Sequence, residues 1–389
     1  MLTITGNGMG GYTFNNLTVD TDAYDVIICD KNFEVDAPNV KKLSYSEARS
    51  YILEHYEHMQ ILYVVTGSPF FYSAGILLAK QLPKDAVKII DNTSSLRYMQ
   101  ATCHFADAQT AHLSIHGRAH IDLEAFLTKP YTFILCDEKS IEKVRRATAY
   151  LPKDALKVTI GYKLGYPDEQ IAPIDLAQVP DTYDLCAPYV LLIERCFTPI
   201  PSVCSDDLFA TERGMITKQY KRHLSLQHLD LSGNQLLWDV GAGSGSCAIE
   251  AYKRYRVRTV LFEKQPQRCD FIRQNLRTHY VCDTQLIEGD AQTHFDSLTQ
   301  DPDRIFVGGG GEKVIARLPY LYERLTNEGV MLINAITLKN LTQMIQVLNE
   351  AKIAYKVISL SLTTYKGSLD LIEPERQLFQ IKVCKGASQ

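Results

Sequence analysis

Apolar and polar positions along this chain follow two rhythms. Short apolar runs, many of them β-branched, recur at Leu2–Thr5, Ala23–Cys29, Ile61–Thr66, Val87–Asp91, Thr132–Asp137, Val158–Gly161 and Tyr189–Glu194. Such runs read as strands. Between them the apolar positions fall three and four apart, as over Ser46–Met59 and Ser73–Gln81, which predicts helices. The second half repeats the scheme. Thr217–Leu229 reads as a helix, and the run from Leu236 ends in Asp239 and a glycine loop that opens another helix. Strands are predicted at Thr259–Glu263, Gln285–Glu288, Arg304–Val307 and Val330–Ala335. A final pair, Tyr355–Leu362 and Gln377–Val383, reads as a hairpin around a polar loop. Strands alternating with helices define an α/β class in both halves.

With 389 residues the chain exceeds one typical core, so two domains are expected. Two prolines in three residues (Pro199 and Pro201) place a linker near 196–208, giving domains 1–198 and 205–389. Charged residues make up 22% and the net charge is −4, which disfavours a nucleic-acid partner. No apolar run approaches the roughly 20 residues that span a bilayer, and the first residues lack a signal-peptide pattern. The ten cysteines are scattered and form no Cys-x-x-Cys pair. No disulfide scaffold, no metal site and a cytoplasmic location are therefore expected.

The chemistry concentrates in the loop after Asp239. Gly241, Gly243 and Gly245 alternate with Ala242 and Ser244, and a helical segment starts at Ser246. Glycines there let a nucleotide-sized ligand approach the backbone. This loop alone leaves a dinucleotide and S-adenosylmethionine as candidates. Glu263 ends the next predicted strand, where a carboxylate can accept both hydroxyls of a ribose. Asp290 and Ala291 follow the third, where an adenine amine would find its acceptor. An aspartate just before the glycines suits an ammonium or sulfonium better than a pyrophosphate. S-adenosylmethionine is thus the expected cofactor, with Asp239 orienting the loop or the donor's amino group. Four glycines, Gly308–Gly311, read as an open shelf for a large flat ligand. Glu250 reads either as an acceptor for the Gly214–Lys218 segment or as a surface acid.

Residues 205–385 resemble the decarboxylating precorrin methyltransferases. The matching stretches are Gly214–Lys218, Trp238–Ser246, Ala248–Ala251, Phe262–Lys264, Gly289–Ala291, Gly308–Gly311 and Asn334–Leu338. The resemblance implies that Thr217, Gly241–Gly245, Glu263 and Ala291 contact the methyl donor. The first half resembles the tetrapyrrole (corrin/porphyrin) methylases, a fold of two α/β subdomains. Gly6, Gly8 and Gly10 stand in that family's first glycine loop, Thr66 and Gly67 in its second, and Ser94 and Ser95 in its third. Ser114–Arg118 and Leu164–Glu169 match stretches of the subfamily acting at carbon 5. Three departures stand out: Met9 for a proline, Ser68 for an aspartate, and Asp91-Asn92 for a Pro-Gly pair.

Together these resemblances imply methylation of a precorrin ring, with or without cobalt, at carbons 5 and 15 and decarboxylation of an acetate arm. The second half would methylate carbon 15 and decarboxylate; the first would methylate carbon 5. A homo-oligomer is expected. Lys218, His116 and Arg118 are candidates to meet acidic arms of the ring. The alternatives are an enzyme active only in its second half, a tetrapyrrole carrier without turnover, and an unrelated methyltransferase.

Overall fold

The computed structural model describes residues 1–115, 129–198, 204–309, 311–367 and 371–386. His116, Arg118 and Gly310 lie outside the described residues. Contacts gather the chain into two compact units, the first ending at Cys196 and the second starting at Phe197. Arg146–Ala155 groups with the second unit. Periodicity locates elements; it carries no information on which core a segment joins.

The first unit holds two five-stranded sheets. One is wholly parallel and built from β1 (Leu2–Gly6), β2 (Val26–Cys29), β3 (Val40–Lys42), β4 (Ile61–Val65) and β5 (Val87–Ile90), in the order β3-β2-β4-β1-β5. Its central strands are buried along their whole length, as a parallel sheet covered on both faces requires. The other contains β6 (Thr110–Ser114), β7 (Tyr131–Leu135), β8 (Leu156–Tyr162), β9 (Gln170–Ile174) and β10 (Tyr189–Arg195), in the order β6-β7-β10-β8-β9. It is mixed: β6 and β7 are parallel and the other pairings antiparallel. Helix Tyr45–His55 starts at a capping box in which Ser44 and Glu47 satisfy each other's backbone amides.

The second unit is one seven-stranded sheet of β11 (Leu236–Val240), β12 (Arg258–Glu263), β13 (Thr284–Glu288), β14 (Arg304–Val307), β15 (Val330–Ala335), β16 (Lys356–Leu360) and β19 (Leu378–Cys384). The order is β13-β12-β11-β14-β15-β19-β16, with only β19 running against the parallel strands and β16 antiparallel to it. The strand order reverses direction between β11 and β14, and ligands of such sheets bind at the carboxyl ends beside that switch point. Trp238 on β11 is fully buried, with its ring 5.6 Å from Phe262 and 6.0 Å from Phe295. This aromatic core anchors the strand that delivers Asp239. The expected closing hairpin is the pair β16 and β19, from Lys356↔Lys382 to Leu360↔Leu378. Its loop holds a second ladder, β17 (Thr363–Lys366) and β18 (Leu371–Pro374), whose polar sequence reads as a loop. Among the described residues no helix is long and apolar enough to cross a membrane.

Candidate functional site

The carboxyl ends of β11 and β14 open onto a cavity of about 610 Å3. Its lining brings together Thr217, Lys218, Asp239, Gly241, Ala242, Gly243 and Ser244 from the sequence expectations. Asp239, the penultimate residue of β11, is 1% exposed. Burial pushes its carboxyl up to about 7, the Ala248 amide that it accepts pulls it down, and the nearby Glu263 charge raises it further. Its Oδ2 has no hydrogen-bond partner among the described residues. A buried carboxylate oxygen without a partner, in a cavity wall, is the acceptor that an ammonium group would satisfy.

The loop after Asp239 is shaped for close approach. Gly243 has φ +61°, and a Cβ there would point into open space rather than into protein, so the bare backbone forms part of the cavity's boundary. Gly241 packs against the backbone of Gly309, where a Cβ would come within 2.9 Å. The glycines Gly308 and Gly309 therefore serve loop-on-loop packing as well as an open face; Gly308 itself lines the cavity. Gly245 closes the turn, donating to the Ala242 carbonyl at 2.8 Å, and does not line the cavity.

Glu263 is held by the backbone around it. Its Oε2 accepts from the Gly243 amide at 2.9 Å, and its Oε1 from the Lys264 and Gln265 amides at 2.9 and 3.0 Å. A carboxylate offers about four lone-pair sites. Three are taken by backbone amides, which leaves about one, and Glu263 is not among the residues lining the cavity. Glu263 is foremost the anchor that holds the glycine loop against the end of β12. Ala291 is buried just beyond β13, and Asp290 pairs with Lys313 at 3.3 Å. Neither belongs to the cavity lining.

One wall of the cavity, Gly214–Lys218, is fixed from behind. Arg222, fully buried on helix Gln219–His228, donates to the Thr217 carbonyl at 2.6 Å and to Asp206 at 2.9 Å. Its Nε donates at 2.6 Å to Glu250 Oε2 on helix Ser246–Tyr255, and Glu250 is also fully buried. Glu250 is thus not a surface acid, and its link to the Gly214–Lys218 segment runs through Arg222. Local sequence carries no sign of this pair, because its partners are 28 residues apart. Lys218 is half-exposed at the cavity wall, 3.8 Å from Asp206. Lys221, Arg268 and Arg376 also line the cavity; the sequence expectations did not include them.

The first unit has its own cavity, of about 250 Å3, lined by Gly8, Gly10, Thr66, Gly67, Ser94 and Ser95. Gly6 is not in the lining; a Cβ there would overlap the Gly67 carbonyl, so its glycine serves strand-end packing. Polar side chains stitch the three loops. Asn7 accepts from the Gly67 amide at 2.9 Å and donates to the Gly11 carbonyl at 2.6 Å. Asn92 donates to the carbonyls of Gly6 and Asn16, both at 2.9 Å. Ser68 donates to Asp91 Oδ1 at 2.5 Å. The departures Ser68 and Asp91-Asn92 are therefore in contact through one another: the carboxylate absent at 68 stands one hydrogen bond away at 91. Ser94 caps helix Ser95–Cys103 through the Arg97 amide at 3.2 Å.

Comparison with known proteins places both units. Residues 207–385 match the precorrin methyltransferase domain, and residues 21–180 match the tetrapyrrole (corrin/porphyrin) methylases. The chain is 28% identical over 286 residues to a precorrin-6Y C(5,15)-methyltransferase [decarboxylating] of Sinorhizobium sp, covering 71% of this chain and 68% of that protein. It is 30% identical over 161 residues to a protein of Pyrobaculum calidifontis described as a probable cobalt-precorrin-6B C(15)-methyltransferase (decarboxylating), covering 40% of this chain and 80% of that protein. A crystal structure of a precorrin-6Y C5,15-methyltransferase from Geobacter metallireducens is 34% identical, covering 48% of this chain and 98% of that one, with a TM-score of 0.46. The fold and the cavity at its switch point define a methyltransferase of the Rossmann-like class. The chain belongs to the precorrin methyltransferase family, with a tetrapyrrole methylase domain ahead of it.

Proposed function

We propose that the chain methylates a precorrin ring, cobalt-free or cobalt-bound, at carbons 5 and 15 and decarboxylates one acetate arm, in cobalamin biosynthesis. The relatives' activities support this reading. The observation in the molecule that carries it is the unpartnered, buried Asp239 oxygen in a 610 Å3 cavity at the sheet's switch point. A positively charged amino-acid end fits that oxygen, and the open face of Gly243 fits the rest of a nucleoside. S-adenosylmethionine, bound there, would supply an electrophilic methyl carbon on a sulfonium.

The protein's own part is alignment. Asp239 would hold the donor's ammonium, Glu263 would meet one ribose hydroxyl, and Thr217 would form the wall that Arg222 immobilises. Lys218 would meet an acidic arm of the ring, orienting the nucleophilic carbon in line with the methyl group. Donor and ring together would displace water from the cavity, and a reaction that disperses the sulfonium's charge gains from that. No strong base is needed for an electron-rich ring carbon.

We assign carbon 15 methylation and decarboxylation to residues 205–389 and carbon 5 methylation to residues 1–198. The loop-lined 250 Å3 cavity and the Ser68–Asp91 bond support an active first unit over one kept only for packing. The test is mass spectrometry of product from the full chain, S-adenosylmethionine and a defined precorrin. Two methyl gains with loss of one carbon dioxide are expected. One methyl gain with that loss would leave the first unit without this activity, and ring binding without turnover would make the protein a carrier. A cytoplasmic homo-oligomer goes with this reading, its assembly measurable by light scattering.

A further inference from the structure

A smaller cavity of about 160 Å3 adjoins the large one, and the two share Gly308, Asn334 and Ile336. Its lining is apolar, from Val307, Val314, Ile315, Leu318, Ile336 and Met344; Asn334 and Asn340 contribute the polar side chains. No charged side chain is among the described residues that line it.

Asn334 is 9% exposed on β15, directly across from Gln380 on β19. Gln380 is fully buried, and its Nε2 donates to Asn334 Oδ1 at 2.9 Å and to Ser225 Oγ at 2.7 Å. Its Oε1 accepts from His228 Nδ1 at 2.8 Å. With both ends of Gln380 committed, the Asn334 amide cannot flip without losing a buried hydrogen bond. Its oxygen faces Gln380, and its NH2 is left to face the boundary of the two cavities. That NH2 has no partner among the described residues. A donor left free where two cavities meet can hold an acceptor there.

We propose that the side cavity receives the acetate arm that is lost as carbon dioxide, with the Asn334 NH2 holding its carboxylate. This deepens the functional reading above and rests on it. Methyl transfer leaves the ring with a cationic iminium. The bond between the arm's CH2 and its carboxylate then breaks, its electron pair enters the conjugated system and neutralises the iminium nitrogen, and carbon dioxide leaves. The exocyclic methylene becomes a methyl group by tautomerisation, with no net gain or loss of protons. No oxidant or reductant is required. The lining suits this step. A lysine or arginine would stabilise the carboxylate more than the departing neutral molecule and so raise the barrier. An apolar chamber with one neutral donor positions the arm while leaving its charge poorly solvated. The cationic Lys218 belongs to the large cavity's lining and not to this one, which separates anchoring of arms from loss of one.

The test uses the full-length protein with S-adenosylmethionine and a precorrin, reading methyl transfer and carbon dioxide release separately by mass spectrometry. Asn334→Ala should lower release relative to methyl transfer by roughly tenfold or more, because the arm is no longer held in the orientation that cleavage needs. A methylated product that keeps its acetate should accumulate. Asn340→Phe, at a partly exposed position, should narrow the chamber and shift the ratio the same way. The ratio does not depend on how much protein folds. Unchanged ratios in both variants, with the native chain active, would overturn this inference alone. A native chain that transfers no methyl group would overturn the functional reading and this inference with it.

Discussion

Asp239→Asn should make the protein more stable and its donor binding weaker. The carboxyl is 1% exposed, has one oxygen without a partner among the described residues, and is pushed by burial up to about 7 from 3.8. That displacement corresponds to roughly 4 kcal/mol, at about 1.4 kcal/mol per pKa unit. Between these two values the folded chain keeps a proton that the unfolded chain has released. Stability from this group is therefore present at acid pH and is lost as pH rises toward about 7. Asparagine keeps the shape and does not titrate. The variant's advantage should be small near the unfolded value of 3.8, grow as pH rises, and level off above about 7 at no more than roughly 4 kcal/mol. Water entering the open cavity will reduce the plateau. Urea unfolding read by fluorescence is a specific assay, because Trp238 is the chain's one tryptophan and adjoins Asp239 on buried β11. In calorimetry at the plateau pH, loss of a charge-assisted hydrogen bond should weaken S-adenosylmethionine binding roughly ten- to hundredfold. A stability difference that does not change with pH, or a variant less stable on the plateau, would refute the burial argument. Stabilisation with unchanged donor affinity would refute only the ammonium assignment.

Other perturbations separate scaffold from site. Glu250→Gln removes one of the two carboxylates paired with buried Arg222 and leaves Asp206, so urea unfolding should show a loss of about 1–3 kcal/mol. Donor affinity should also fall as Thr217 loses its support. Gly243→Ala, at φ +61°, should cost only about 1–2 kcal/mol of stability but place a methyl group in the cavity, so the donor Kd should rise more than the unfolding midpoint shifts. Ser68→Ala removes the bond to Asp91. Titration of the full chain with S-adenosylmethionine should then show one of two sites weakened and the other unchanged; weakening of both would contradict separate sites in the two units.

Much of the molecule is local in origin and so legible in its sequence. A parallel strand buried on both faces must be apolar throughout, which is why β1, β4, β11, β14 and β15 stand out as runs. A backbone that turns from strand to helix around a ligand needs glycine, which is why Gly241–Gly245 identifies the site. Weaker local signals hid β3, β6 and β9 at or near sheet edges, and the β17–β18 ladder within a polar loop.

What the sequence could not decide is what each polar group already touches. Glu263 is read as an acceptor for two ribose hydroxyls, and three backbone amides already occupy most of its capacity. Glu250 is open to two readings until Arg222 is found buried against it. Ser68 and Asp91 look like two losses, and the fold makes them one pair, 23 residues apart. Gln380 orients Asn334 across 46 residues and reaches Ser225 across 155. Strand and helix periods follow from neighbours along the chain, whereas hydrogen-bond capacity is consumed by partners that only tertiary packing brings within reach. The sequence alone therefore determined the architecture and the kind of ligand expected; the tertiary structure decided which side chains are free to meet it.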